Sequence, residues 1–279
     1  MALFDKALSE MTGSSFLEPQ PFLSYARQAG FSDAKPAYYI SVQNLVGLSS
    51  ELRAAGAMVF RLGSAAGSKG TNFALARHTG SWDDYFLQDL TIFAGSTQLS
   101  VPGGIEDLRI FQILPKSTET SLVNLALASG VLRLALNLDA GAALVNATAQ
   151  GTYTFTVRPH LHLAACWQHV AGQVEIDGAF IAYRGGVETL FVIEAKVSDD
   201  LDSLAKHKIA YPMLALQTEL KGAMPTIGVY LRVIRRRYGF EFCVAECVFS
   251  SPNQEISSLI PVRAGRYRLE SDNTRNPAH

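Results

Sequence analysis

Apolar and polar positions repeat with different periods along this chain, and the change of period divides it near Thr152. Before that point the pattern is mixed. Residues 1–30 read as one or two helices, with Phe16-Leu17-Glu18-Pro19 breaking between them. Residues 37–42 look extended, and the apolar spacing over 42–55 predicts an amphipathic helix ending near Gly56. A strand is predicted over 57–62, a glycine- and serine-rich loop over 63–70, and a further extended stretch over 72–77. Residues 100–104 are turn-like. The most apolar stretch predicts one long helix over 118–138. Asn124, Arg133 and Asn137 interrupt it, so a buried helix explains it better than a membrane span.

After Thr152 strand patterns dominate, over 174–183, 190–197, 227–234 and 240–249. Between the second and third, the spacing over 200–220 predicts a helix. Gly185-Gly186 supplies one hairpin turn and Arg237-Tyr238-Gly239 another. A hairpin, a crossover helix and two more strands make a mixed sheet with a helix laid across it, an α/β arrangement. The expected division is an N-terminal α+β region over 1–150 and a second region over 151–279, fraying after Leu269.

Composition narrows this little. At 279 residues, 48% hydrophobic and 18% charged, the chain can bury an ordinary core. A net charge of −1 argues against coating nucleic acid along the whole surface, but not against gripping it in a cleft. The three cysteines, Cys166, Cys243 and Cys247, are too few for a disulfide framework, which fits a reducing cytoplasm. No basic segment followed by an apolar run opens the chain, so no secretory signal is visible and no membrane partner is expected.

The candidate chemistry lies on two neighbouring strands. Leu190, Val192, Glu194 and Lys196 share one face, while Phe191, Ile193, Ala195 and Val197 share the other. Unbroken alternation also points Glu175 and Asp177 the same way. Two charges on an otherwise apolar strand cost several kcal/mol, on the order known for buried ions, unless something compensates them. A divalent cation bound by Asp177 and Glu194, with Glu175 as an additional ligand, would do so and leave Lys196 beside it. The competing reading is a cross-strand salt bridge on a solvated face, worth about 0–1 kcal/mol. The apolar character of both faces opposes it.

Glu175-Ile176-Asp177-Gly178, sixteen residues between Asp177 and Glu194, and then Glu194-Ala195-Lys196 resemble the PD-(D/E)xK nuclease superfamily, and within it the type II restriction endonucleases. The resemblance covers about 152–249; Ile176 stands where the motif's name has proline. It implies a restriction endonuclease-like mixed β-sheet core flanked by helices. It also implies Mg2+ held by Asp177 and Glu194, a catalytic Lys196, and hydrolysis of phosphodiesters in double-stranded DNA. A homodimer and a cognate DNA methyltransferase in the cell are the implied partners. Related nucleases often carry glutamine near a tyrosine-proline pair on the following helix. Here Lys208 precedes Tyr211-Pro212 on the inward face and is expected to reach the scissile phosphate or a bound water.

Base recognition is expected of Arg61, Lys69, Asn72 and Arg77 around the 63–70 loop, since arginine and asparagine read guanine and adenine edges. Arg235 and Arg236, with Arg232 and Arg237, form a basic cluster suited to DNA phosphates or to a solvated hairpin tip. His160, His162, Cys166 and His169 match no strong zinc spacing and read as packed or solvated. The leading expectation is a sequence-specific, magnesium-dependent endonuclease. A structure-specific repair or recombination nuclease and a non-catalytic DNA-binding protein are its rivals.

Overall fold

The computed structural model describes residues 2–64, 70–96, 98–101, 110–114, 117–141, 143–236 and 239–270. A small sheet leads: β1 (Phe16–Pro21), β2 (Ala57–Ser64) and β3 (Thr71–Arg77), in the order β1-β3-β2. Around it lie α1 (Asp5–Glu10), α2 (Phe22–Gln28), α3 (Pro36–Tyr39) and α4 (Ser50–Ala54). The expected helix break at 16–19 is therefore a strand. Pairing with β3 overrides the prolines, which an edge strand tolerates because its outer N–H groups need no partner. The extended stretch expected at 37–42 is instead a helical turn started by Pro36. The helix expected over 42–55 shortens to α4, because Asn44 Oδ1 accepts the Gly47 N–H and closes a turn.

Next come β4 (Phe86–Gln88), α5 (Asp89–Phe93), β5 (Gln98–Ser100) and α6 (Ile110–Ile113). The helix expected over 118–138 is two, α7 (Glu119–Ala128) and α8 (Val131–Ala135), divided at Gly130, whose φ is +78°. The remaining elements are β6 (Ala147–Val157), β7 (Trp167–Arg184), β8 (Val187–Ser198), β9 (Ser203–Ala205), α9 (His207–Leu220), β10 (Thr226–Arg236), β11 (Gly239–Phe249) and β12 (Leu259–Glu270). The four strands expected after residue 152 are β7, β8, β10 and β11. β6 and β12 were not foreseen. The turn at 237–238, the 65–69 loop, most of 100–104 and the tail after 270 lie outside the described residues.

Seven strands form one mixed sheet in the order β5-β12-β11-β10-β8-β7-β6. Its one crossover beside the candidate residues joins β8 to parallel β10 through α9, while β7 and β11 flank that pair antiparallel. The sheet is covered on both faces. Leu190 and Val192 of β8 pack with α9 and the N-terminal sheet; Phe191, Ile193 and Ala195 pack with α7 and α8. The alternation read from the sequence therefore holds on β8. The division expected at residue 150 falls inside β6, and α7, α8 and β5 belong to the large sheet's layers. Among the described residues no helix is long and apolar enough to cross a membrane.

The small sheet docks on β7 at a glycine pair. A Cβ on Gly172 would stand 2.4 Å from Gly63 Cα, and one on Gly63 would stand 2.3 Å from the Val170 carbonyl oxygen. Overpacking of this kind costs about 1–3 kcal/mol. Gly172→Ala should therefore lower unfolding free energy by roughly that amount, measured by denaturant titration. Gly141→Ala, with open space around the new methyl, should leave it nearly unchanged.

Candidate active site

The site is built where β7 and β8 part. Their ladder runs from Arg184 opposite Val187 to Gly178 opposite Ile193 and goes no further. On the other side of β7, three steps from Ile176 to Ala179 match only two on β6, from Ala149 to Ala147. That extra residue is a β-bulge, and it switches the faces of β7. Val174 and Ile176 pack beneath α9, whereas Phe180 and Ala182 enter the core under α7 and α8. Gly178 sits in the bulge, where a Cβ would press on Asn146 and Val123.

The bulge turns Asp177 inward. Its Oδ2 accepts the Ala195 N–H at 2.9 Å, replacing the backbone partner lost where the ladder ends. Glu175 and Asp177 consequently do not act as a pair: Glu175 is exposed and Asp177 buried. This corrects the alternation assumed from sequence. Among the described residues no group of three or more His, Cys, Asp or Glu is gathered closely enough to hold a metal ion. Asp177 and Glu194 are neighbouring carboxylates, and Glu175 does not join them in such a group.

Glu194 is 3% exposed, in the middle of a strand covered on both faces. Two lysines meet its charge. Lys196 Nζ lies 2.9 Å from Glu194 Oε1 and 3.9 Å from Asp177 Oδ2, and Lys208 Nζ of α9 lies 3.7 Å from Glu194 Oε1. Lys208 thus comes to the site, as expected from its helix face, but its visible partner is the carboxylate. Lys196 Nζ also donates to the Ala195 carbonyl at 2.8 Å and to Glu119 Oε1 at 3.0 Å.

Glu119 was not foreseen. It occupies the first turn of α7, which Thr118 caps by accepting the Ser121 N–H. An acid there is already explained by the helix dipole, so nothing in the sequence ties it to a lysine 77 positions away.

Burial pushes the Glu194 carboxyl up to about 7 against the pull of Lys208 and Lys196. Burial alone would lower the Lys196 ammonium, but Glu194, Glu119 and Asp177 together hold it above its ordinary value. The lysine is thus charged, and the carboxyl is poised near neutrality. Lys196 meets Glu194 Oε1 at 2.9 Å. The neighbouring carboxylates of Asp177 and Glu194 are the hard oxygen donors that a divalent cation takes.

The residues expected at DNA are dispersed. Arg61 lies between two openings, one toward Lys208 and one lined by Ser64, Thr71 and Thr152, and its Nη1 donates to Ser41 Oγ. Asn72 Nδ2 donates to the Ser64 carbonyl. Arg77 is tied to the Ala55 carbonyl at the far end of β3, opposite Ala57 rather than near Arg61. Lys69 and Arg237 lie outside the described residues. Arg236 pairs with Glu241 at 2.8 Å, and Arg235 lies over the Phe240 ring. Arg232 is buried in a network with Asp89 and Tyr230, so it belongs to the fold and not to the basic cluster. His160 is likewise structural, buried 3.2 Å from Asp84.

The Glu194 proton gives a testable pH dependence. A folded-state value above the unfolded one means the folded chain holds a proton that the unfolded chain has released. Stability from this group is therefore present at low pH and lost as pH rises from the ordinary carboxylate range through about 7. Glu194→Gln removes the effect. In chelator, the thermal midpoint of the wild type relative to this variant should fall between pH 5 and pH 8, with most of the change complete just above about 7.

No curated protein and no solved structure shows significant similarity to this chain. The family model for a domain of unknown function, DUF6997, matches residues 88–268, which takes in both carboxylates, both lysines, Glu119 and six of the seven strands of the large sheet from end to end. Because that match spans well over half of the chain, the protein belongs to the DUF6997 family.

Proposed function

We propose that the chain is a magnesium-dependent DNA endonuclease of the restriction type, with a restriction endonuclease-like core. The observation that carries this reading is the convergence of Asp177, Glu194 and Lys196 where two strands part, with Lys208 brought in by the crossover helix. The strand sequence supports it further: an antiparallel pair, a helical crossover to a parallel strand, then an antiparallel partner.

Asp177 and Glu194 would hold the cation, which when bound supplies charge neutralisation at phosphate and a more acidic water. The chain's own groups do the rest. Lys196, firmly protonated among three carboxylates, holds a positive charge where a phosphate oxygen gains negative charge. A lysine is suited to this as a compact point charge with rotatable donors. Asp177 is oriented by the Ala195 N–H, so its carboxylate plane is fixed before substrate arrives. Lys208 offsets the Glu194 charge from the α9 side and can turn toward a phosphate once that charge is met otherwise. A palindromic target would call for a twofold dimer.

A nuclease that reads DNA structure is the second reading, favoured by one observation. Arg77 and Arg236, assigned to DNA from sequence, are engaged within the chain.

Incubating a large unmethylated viral DNA with the protein and magnesium tests the proposal. Discrete fragments are expected from the wild type, with the rate reduced at least about 10²–10³-fold in Lys196→Ala, the scale for removing one electrostatic stabiliser. Cleavage only of flaps or junctions would select the second reading. Intact DNA of every form, in magnesium and in manganese, would remove both.

A further inference from the structure

Three oxygens crowd the Lys196 ammonium. Nζ lies 2.9 Å from Glu194 Oε1, 2.8 Å from the Ala195 carbonyl oxygen and 3.0 Å from Glu119 Oε1. An ammonium has three N–H donors, so three oxygens at this distance take up what it can offer. Asp177 Oδ2, at 3.9 Å, stands just outside them. The lysine is nonetheless open to solvent, with its side chain 20% exposed. A phosphate oxygen can therefore approach Nζ, but it gains a full donor only by displacing one of the three oxygens already there.

The three are not equally easy to displace. The Ala195 carbonyl belongs to the backbone of β8, which is held in its ladder with β10. Glu194 is 3% exposed in the middle of the same strand, and parting it from Lys196 leaves a buried charge with only Lys208 to meet it. Glu119 differs on both counts. Its side chain is 39% exposed, so water takes up the carboxylate once it lets go of Lys196. It also stands in the first turn of α7, capped by Thr118, where the helix dipole favours an acid whether or not it holds a lysine. A change of rotamer is enough to release it.

The chemistry of the displaced group matches that of the incoming one. Carboxylate and phosphate oxygens are both anionic acceptors for an ammonium. Glu119 thus presents to Lys196, from within the chain, the kind of group a phosphodiester presents. While it is in place it also sets a negative charge where an anion has to arrive. Aiming Lys196 does not require it, because Glu194 and the Ala195 carbonyl already hold the ammonium from its own strand. Glu119 comes from another layer of the fold, 77 positions away.

We propose that Glu119 is an internal competitor for phosphate: its carboxylate occupies the Lys196 donor that a phosphodiester oxygen takes in the bound state, and α7 thereby sets how tightly the site holds its ligand. This rests on the nuclease reading for the identity of the ligand as DNA, while the competition itself concerns any phosphate at Lys196. Binding exchanges one hydrogen bond at Nζ for another, and the proton stays on the lysine throughout. Glu119 turns to solvent as the phosphate enters.

The test measures binding instead of cutting. Fluorescence anisotropy follows a labelled duplex made cleavage-resistant by phosphorothioate linkages, in magnesium at fixed ionic strength. Isotope-labelled lysine Nζ resonances follow inorganic phosphate in the same solution. Full-length wild type is compared with Glu119→Gln, which keeps the size of the side chain but not its charge, and with Glu119→Ala, in which no side chain reaches Lys196. Glu175→Gln is the control for charge alone. Glu175 is an exposed carboxylate lining the cavity that Arg61, His169 and Lys208 help to wall, and it is not among the carboxylates that meet Lys196.

Both Glu119 variants should bind each probe about threefold or more tightly than wild type, the scale of a partly exposed charge pair withdrawn from competition. Glu175→Gln should change binding less, and thermal melting checks that every variant is folded. Unchanged or weaker binding by both Glu119 variants overturns the proposal and makes Glu119 a residue that positions Lys196. An equal gain in Glu175→Gln overturns it as well, since general charge would then be the cause. So does the absence of binding to either probe by every variant. The two readings fail separately. Phosphate held more tightly by Glu119→Gln, in a protein that ignores the duplex, keeps the competitor and removes the DNA reading. Cleavage of DNA by the wild type, with no gain in binding in Glu119→Gln, removes the competitor alone.

Discussion

Glu194 stands in the middle of a strand covered on both faces, and its charge has to be met from elements other than that strand's apolar neighbours. An isolated buried carboxylate costs several kcal/mol, on the order found for ions moved out of water, so much of the surrounding arrangement follows from satisfying this one group. Lys208 answers it from α9, which the crossover between parallel β8 and β10 must place above this part of the sheet. Lys196 answers it from two residues along β8, and Glu119 of α7 in turn engages Lys196 from another element. Three layers of the fold thus meet at one carboxylate, and even so burial keeps its proton near neutrality.

The second constraint is the bulge in β7. Without it Asp177 would follow the same alternation as exposed Glu175; with it, β7 exchanges faces and Asp177 turns in to accept the Ala195 N–H. The same strand carries the close glycine contact with β2, which sets the N-terminal sheet against β7 and walls the cavity through Arg61 and His169. Site, docking of the small sheet and adjoining cavity are therefore consequences of one long, irregular strand. DNA hydrolysis at this site is the proposal that gives these features a use.

Where a local pattern determines the outcome, the sequence was readable. The period-two pattern of 190–197 marked β8 and put Glu194 and Lys196 on one face, and Gly185-Gly186 marked the hairpin. Helical spacing placed Lys208 inward, where it meets Glu194. Where pairing partners lie far apart, it was not. Phe16–Pro21 is a strand only because β3 lies alongside, and β12 pairs with β11 through residues whose alternation is broken by a register shift at Glu246. Glu119 looks like any acid in a first helical turn, and its reach to Lys196 exists only in three dimensions. Gly178 was the available sign of the bulge, since glycine inside a strand often marks one.

At the centre of this account stands the claim that Asp177 and Glu194 form a site made to take a divalent cation. Calorimetric titration of magnesium into the wild type, Asp177→Asn and Glu194→Gln, above neutral pH where the Glu194 proton is released, tests that claim most directly. The account predicts a saturable isotherm for the wild type that is lost in both variants while each remains folded. Indistinguishable isotherms for the three proteins, or no binding by any of them, would contradict it.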